Sequence, residues 1–292
     1  MTTGPLLISP LVSTQWLADH LGADKFVIID ATVSWSTGVL GEFGGLVTGH
    51  ERYVLEGHIP GAIFADLIDG LSDPDGAAPF AKPSQERFED AVGHLGIDNE
   101  TTVIVYDTSS GEWASRLWWL FRSWGYDSVA VLDGGFVRWV AEDRAVELGH
   151  VSPLTADFAA FERPRLWADR AEVESIVAGD TDTRLVSALP TTPWRGRAPI
   201  GASSPSTSSS IPASATIPVS HLVDPSTNEF VEEAALRELF DDVVGHRVVT
   251  FCHSGIDAAA DALALTLIGQ EDVAVYDGSL LDWDREHALT SR

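Results

Sequence analysis

Cys252 is the residue of this chain whose type and position best suit nucleophilic chemistry, and it is the chain's one cysteine. It follows the β-branched run 248–251, which predicts a buried strand, and it precedes a helical stretch from Asp257 to Ile268 that Gly269 ends. A loop between a strand and a helix directs backbone N–H groups and the positive end of the helix dipole at its side chains. Because that environment stabilises thiolate over thiol, and the thiolate is the nucleophile, we expect a reactive sulfur at Cys252.

The loop composition decides between this interpretation and a structural one, because a lone cysteine is often a small buried hydrophobic residue. Ser254 and Gly255 suit a tight, solvent-reachable loop better than a packed core. Ile256 and Asp257 then lead into the helix. The Asp257 carboxylate favours a helix start but repels a neighbouring thiolate, so it raises the pKa of Cys252. We expect a solvent-accessible thiol on a loop of the kind where α/β proteins bind ligands.

The charge of the chain excludes several classes of partner. The formal net charge is −26, and the 292 residues include two lysines, Lys25 and Lys82. Such a field repels nucleic acid and anionic membranes, so we expect neither as a partner. It also repels small anions, and any anion site must therefore be built locally from backbone dipoles and a few arginines.

Cysteine usage and hydropathy indicate the compartment. One cysteine excludes an internal disulfide framework and a cysteine-rich zinc site, which fits a reducing cytosol. Residues 1–22 lack a basic start followed by an apolar run, so no signal peptide is predicted. The apolar run 117–124 is interrupted by Arg122 and falls short of a membrane span. We expect a cytoplasmic protein that uses no metal and no cofactor.

The elements that must position Cys252 belong to a repeated pattern. In the first half, we predict helices over 11–22, 84–96 and 112–124, strands over 26–29, 102–106 and 129–132, and a glycine-rich surface excursion over 34–49. The second half repeats the order of motifs: 185–188 corresponds to 28–31, 211–215 to 59–63, 248–252 to 103–107, and 275–283 to 131–139. Two matched copies predict two α/β domains, 1–149 and 166–292, joined by a linker over 150–165.

The two copies differ at the position of the cysteine. Asp107 follows the strand of the first copy where Cys252 follows the strand of the second. A carboxylate cannot perform thiolate chemistry, so we expect a structural first domain and a reactive second domain.

These motifs together resemble the tandem-domain sulfurtransferases, the rhodanese and 3-mercaptopyruvate sulfurtransferase family, over nearly the whole chain. The segments that carry the resemblance are Gly57 to Ala62, Val105 to Asp107, Arg116 to Trp119, Leu132 to Gly135 with Trp139, Cys252 to Ala258, and Val275 to Ser279. The resemblance implies two rhodanese-like domains, each a mostly parallel sheet flanked by helices, with the N-terminal one non-catalytic.

The resemblance also implies a double-displacement mechanism. Cys252 takes a sulfur from a small donor, 3-mercaptopyruvate or thiosulfate, and holds it as a persulfide among loop N–H groups. An acceptor thiol, thioredoxin or cyanide then removes it. A protein tyrosine phosphatase loop is similar but needs an arginine where this chain has Ala258, so that interpretation fails.

Further site residues follow from the family pattern. His253 is a source of switchable positive charge near a donor, or an exposed loop residue. Ser254 hydrogen-bonds the persulfide or relays a proton, or it only caps the helix. His58 matches a family residue near the domain interface and is otherwise a turn residue. A metal site of Cys252 and His253 is disfavoured, because adjacent side chains rarely make one and no ligand cluster accompanies them.

The chain departs from the family pattern in its second half. The donor-binding arginine aligns with Pro193, and Arg195 and Arg197 are the candidates to replace it. Ser187 and Ser210 also stand at positions where the family has other residues, and the serine-rich composition of 203–210 predicts a mobile loop. These departures define the alternative hypothesis, a catalytically weak or inactive rhodanese-like protein that serves for binding or regulation.

Overall fold

The chain folds into two α/β units of the same design. The computed structural model describes residues 4–36, 45–76, 78–189, 211–213 and 215–290, with side chains described up to 285. The elements of the first half are β1 Leu11–Val12, α1 Thr14–His20, β2 Phe26–Asp30, β3 Val33–Trp35, β4 Leu46–Thr48, α2 His50–Glu56, β5 Ile63–Phe64, α3 Gln85–His94, β6 Thr102–Tyr106, α4 Glu112–Ser123, β7 Val129–Leu132 and α5 Gly135–Ala141.

The first sheet is parallel and runs in the order β1-β7-β6-β2-β5. Its central strand β6 has the sequence TVIVY, and all five residues are buried. β-Branched and aromatic side chains with both faces covered are typical of a central strand in a parallel sheet. The strands β3 and β4 form a separate antiparallel ribbon.

The second half repeats this architecture. Its elements are a 3-10 helix over Pro164–Leu166, β8 Trp167–Ala168, α6 Arg170–Ala178, β9 Arg184–Ser187, β10 Ala215–Thr216, α7 Val219–Leu222, α8 Glu233–Leu239, β11 Val248–Phe251, α9 Asp257–Leu267, β12 Val273–Tyr276 and α10 Ser279–Thr290. The second sheet is also parallel, with the order β8-β12-β11-β9-β10, so each strand has a counterpart at the same place in the first sheet. The predicted fold class is confirmed, whereas the exact domain and linker boundaries stay a prediction.

Backbone hydrogen bonds support the correspondence between the two copies. The amide of Phe136 donates to the carbonyl of Asp107 at 2.9 Å, and the amide of Leu280 donates to the carbonyl of Cys252 at 3.2 Å. The two loops therefore bind the starts of α5 and α10 in the same way, and Asp107 is the structural counterpart of Cys252.

The two halves meet along α4 and α9, which pack against each other. Most residues of both helices are buried, and one apolar core joins Trp118 and Trp119 of α4 to the alanine-rich face of α9. Small alanine side chains allow the helices to approach closely, and the tryptophans fill the remaining space. This contact places α4 beside the helix that begins after the Cys252 loop.

One predicted helix begins later than expected. The prediction for 11–22 included Leu11 and Val12, but these residues form β1 and pair with β7. The helix starts after Ser13, whose hydroxyl accepts a hydrogen bond from the Trp16 amide at 3.1 Å. Within the described ranges, no helix combines the length and the apolar character needed to cross a bilayer.

Candidate active site

The Cys252 loop is fixed at its beginning by the start of α10. The amide of Cys252 donates to the hydroxyl of Ser279 at 3.2 Å, and that hydroxyl donates to the Tyr276 carbonyl at 2.8 Å. Beyond Cys252, the carbonyl of His253 accepts from the Leu281 amide at 3.2 Å. The loop therefore has a defined conformation rather than that of a free surface segment.

Backbone amides of the loop surround the sulfur, and we call this group the amide cradle: the N–H groups of Ser254, Gly255 and Ala258. The Gly255 amide donates to Cys252 Sγ at 3.1 Å. The amides of Ala258 and Ser254 also interact with the sulfur, and all three lower the pKa of Cys252. Donors directed at one atom stabilise a negative charge on it, as the sequence predicts.

Burial has a larger effect on the pKa of Cys252 than the amide cradle has. Cys252 is 1% exposed, and its pKa is raised to about 11, first by burial and then by the negative charge of Asp257. The predictions of a solvent-accessible thiol and a resting thiolate at Cys252 are therefore wrong, because transfer of the thiol away from water favours its neutral form. Ser254 and Ile256 are buried as well, at 2% and 3% exposed. The predicted effect of Asp257 on the pKa of Cys252 is confirmed.

Several carboxyl groups lie near the contact between α4 and α9. Burial raises the pKa of Asp257 to about 6, and burial with the charges of Asp107 and Asp257 raises the pKa of Glu112 to about 8. Asp261 is fully buried, and its oxygens have no hydrogen-bond partner in the described part of the chain. Burial, followed by the charge of Asp257, raises its pKa. Each of these carboxyl groups therefore keeps its proton to a higher pH than an exposed carboxyl group does.

The first domain has a corresponding group of backbone amides, which surrounds the carboxylate of Asp107 instead of a sulfur. One carboxylate oxygen of Asp107 accepts from the amides of Ser109 and Gly111 at 2.8 and 3.1 Å. The other accepts from the amides of Trp113 and Ala114 at 3.0 and 2.9 Å. The first domain thus fills its cradle with a permanent side-chain acceptor, which supports a structural role.

The other predicted site residues take different positions. His58 is buried and stacks on Tyr53 at 4.0 Å between ring centroids. Its ring nitrogens lie 3.0 Å from the Ile59 carbonyl and 3.2 Å from the Gly149 carbonyl, so the interactions described for it belong to the first half. His253 is partly exposed on the loop.

The structure describes only some of the second-half residues that differ from the family pattern. Ser187 ends β9, and its hydroxyl accepts from the Leu189 amide at 3.4 Å. Arg195, Arg197, Pro193 and Ser210 lie outside the described residues, as does the serine-rich segment. Among described residues, no group of three or more His, Cys, Asp or Glu side chains is arranged to hold a metal ion.

Arg116 is a site residue that the sequence interpretation did not assign. Its guanidinium lies buried in α4 of the first half and contacts Gly255 and Asp277 of the second half. The available signal was a charged side chain within an otherwise apolar stretch of α4, RLWWLF, which is costly unless the charge is paired.

Known proteins resemble this chain over nearly its whole length. A profile described as the rhodanese-like domain matches residues 13–142, the half that holds Asp107. Thiosulfate sulfurtransferase of Rattus norvegicus is 33% identical over 291 residues, covering 96% of this chain and 93% of the relative. The 3-mercaptopyruvate sulfurtransferase of Homo sapiens is 31% identical over 288 residues, with the same two coverages of 96% and 93%.

A solved structure agrees with these relatives. SseA from Escherichia coli, described with the rhodanese fold among 3-mercaptopyruvate sulfotransferases, has a TM-score of 0.76 at 28% identity. The match covers 93% of this chain and 98% of SseA. The resemblance inferred from the sequence motifs is confirmed.

Proposed function

Because the chain belongs to the rhodanese family of sulfurtransferases, we propose that it moves a sulfane sulfur from 3-mercaptopyruvate or thiosulfate, through a persulfide on Cys252, to a thiol or cyanide acceptor. The relatives whose names specify a donor include both donors, so the proposal keeps the two. The acceptor thiol in the proposal is thioredoxin or a small thiol.

The observation that supports this function best is the amide cradle around Cys252. The Gly255 amide lies 3.1 Å from Sγ, and the Ser254 and Ala258 amides face the same atom. A persulfide needs donors for its outer anionic sulfur, and backbone N–H groups provide them without a metal. The hydrogen bond from the Cys252 amide to Ser279 keeps the cysteine in place beside these donors while sulfur is gained and lost.

Sulfur transfer takes two displacements at sulfur. The Cys252 thiolate attacks the outer sulfur of thiosulfate, the sulfur–sulfur bond breaks, and sulfite leaves with the electron pair. With 3-mercaptopyruvate, the carbon–sulfur bond breaks, the electron pair leaves as the enolate of pyruvate, and the enolate takes a proton. In the second step the acceptor attacks the outer sulfur, and Cys252 leaves as thiolate.

The raised pKa of Cys252 sets a condition on the first step. With a pKa of about 11, the resting thiol carries its proton at neutral pH, and only the deprotonated form attacks. Loss of that proton and access of the donor to a side chain 1% exposed therefore precede transfer. We therefore expect a slow first step that accelerates as the pH rises.

The same burial favours the second hypothesis, a catalytically weak or inactive protein with a binding or regulatory role. A thiol that is protonated and covered is a structural side chain unless a donor reaches it. Intact-protein mass spectrometry after incubation with each donor separates the hypotheses: the sulfurtransferase gains one sulfur, and Cys252→Ser gains none.

Reduced thioredoxin or cyanide, added to the loaded protein, removes that sulfur and restores the original mass. An unchanged mass with both donors, together with equal sulfide release by the wild-type protein and Cys252→Ser, supports the inactive protein instead.

A further inference from the structure

Arg116 connects the first half of the chain to the Cys252 loop of the second. It is the fifth residue of α4, and its side chain is 1% exposed. We propose that Arg116 is a positioning residue for the loop: it holds the backbone of Gly255 so that the Gly255 amide points at the Cys252 sulfur. This inference rests on the proposed role of Cys252 as the sulfur carrier, and it assigns part of the site to the first half.

The guanidinium group of Arg116 binds three acceptors from both halves. Its Nη1 donates to the Gly255 carbonyl at 3.4 Å. Its Nη2 donates to the carboxylate of Asp277 at 2.6 Å and to the Phe80 carbonyl at 2.5 Å. Because the guanidinium is planar and rigid, these contacts fix the relative positions of Gly255 and Asp277.

Asp277 extends this fixation to the other end of the loop. Its second oxygen accepts from the Lys82 amide of the first half at 2.8 Å. Two residues later in the chain, the Ser279 hydroxyl accepts from the amide of Cys252 at 3.2 Å. A displacement of Asp277 therefore moves Ser279, whose hydroxyl holds the amide of Cys252. A displacement of Arg116 moves the guanidinium that holds the carbonyl of Gly255.

The packing at Gly255 leaves little freedom for adjustment. Its φ of +80° suits glycine, and a Cβ there would lie 2.9 Å from the Asp277 carbonyl oxygen and 3.2 Å from Arg116 Nη1. The loop backbone thus lies directly against the pair of Arg116 and Asp277. Since the Gly255 amide is 3.1 Å from the sulfur, a small shift of the guanidinium changes the hydrogen bond to Cys252.

Stability alone does not explain a buried arginine in this contact. The desolvation of a buried ion pair offsets much of its Coulomb attraction, and an apolar side chain of similar volume often packs as well. The ring of Trp167, 4.9 Å from the guanidinium carbon, adds a cation–π contact that also fixes the orientation of the group. We therefore expect the effect of Arg116 in the geometry and titration of the loop, more than in the free energy of unfolding.

The single cysteine permits a direct test without a donor. Protein labelled with ¹³C at the cysteine β-carbon gives one signal, whose shift between pH 8 and 10.5 reports the thiolate fraction of Cys252. We expect Arg116→Met to lower the thiolate fraction at pH 10 by up to about tenfold, because the Gly255 amide loses its alignment with the Cys252 sulfur. Arg116→Lys keeps the charge but lacks the planar guanidinium with its several donors, and it lowers the thiolate fraction less. In both variants we expect the Gly255 amide proton to exchange faster than in the wild type.

Arg122→Met is the matched control, because Arg122 also lies in α4 but pairs with Asp127 and Trp118. We expect it to keep the wild-type thiolate fraction. A folded Arg116→Met with the wild-type titration and Gly255 exchange would overturn the inference, and if that variant does not fold, an unchanged Arg116→Lys overturns it. Failure of the wild-type protein to gain sulfur from either donor would refute the proposed function, whereas the titration would still test Arg116.

Discussion

Asp107 and Cys252 occupy the same position in the two halves of the chain, and both accept hydrogen bonds from amides of the loop and the helix start that follow. Asp107 accepts four such bonds, and the cysteine sulfur is faced by three amides. The geometry that would hold a persulfide in one domain holds a carboxylate in the other. The duplicated fold therefore keeps the cradle in both copies and changes its occupant.

Asp107→Asn should destabilise the protein. The amide NH₂ of asparagine would face N–H donors, such as those of Trp113 and Ala114, that now donate to a carboxylate oxygen. We expect a loss of about 1–3 kcal/mol in the free energy of unfolding, as is typical when buried donors lose their acceptor. Urea denaturation measures the loss, and the exposed Asp69→Asn is the control. Equal midpoints for the two variants would contradict a structural role for the first cradle.

Alkylation of Cys252 should be slow at neutral pH and rise steadily in base. With a pKa of about 11, the thiolate is about one part in ten thousand at pH 7, and its fraction grows about tenfold per pH unit up to pH 10. Iodoacetamide kinetics followed by mass spectrometry test this without ambiguity, because the chain has no second thiol. Urea-unfolded protein, with an ordinary cysteine pKa, provides the reference. A rate that levels off below pH 9 would show that the sulfur is far more acidic than its burial implies.

Asp257→Asn should make the Cys252 sulfur more acidic. The charge of Asp257 is the second cause, after burial, of the raised pKa of Cys252, and the substitution removes that charge while it keeps the size of the side chain. We expect the pKa of Cys252 to fall by about one unit and alkylation at pH 8.5 to accelerate about tenfold. The exposed Asp242→Asn controls for the change in net charge. A rate that stays within twofold of the wild type would mean that solvent screens Asp257 from the sulfur.

The sequence was sufficient to predict the duplicated α/β architecture and the position of the cysteine, because both depend on local patterns. Helix α9 was predicted from Asp257 to Ile268 and spans Asp257–Leu267. The edge strand at Leu11–Val12 was missed because two residues show no period, and only their pairing with β7 defines the strand.

The chemical state of the site required tertiary contacts that no local pattern contains. Cys252 is buried in part because α4, from a distant part of the chain, packs beside α9. The pair of Arg116 and Asp277 joins residues 161 positions apart, so neither side chain indicates the other in the sequence. Composition suggested where a thiolate could be stabilised, but the balance between burial and amide donors depends on packing.

Glu112→Gln should reduce the dependence of stability on pH. Burial and the charges of Asp107 and Asp257 raise the pKa of Glu112 from 4.5 to about 8, so the native state holds a proton that the unfolded chain releases. The stabilisation by that proton is complete below pH 4.5 and declines as the pH rises through 8. Glutamine mimics the protonated carboxyl and can still accept from the Ser110 amide, which donates to Glu112 at 2.9 Å.

We therefore expect the wild-type protein to lose about 1–2 kcal/mol more than Glu112→Gln between pH 5 and pH 8.5, a figure reduced for the partial exposure of the side chain. Urea denaturation at both pH values measures the difference, and the exposed Glu238→Gln on α8 should follow the wild-type curve. Parallel curves for Glu112→Gln and the wild type would mean that Glu112 is ionised in the native state. The domain contact would then tolerate the adjacent negative charges of Glu112 and Asp257.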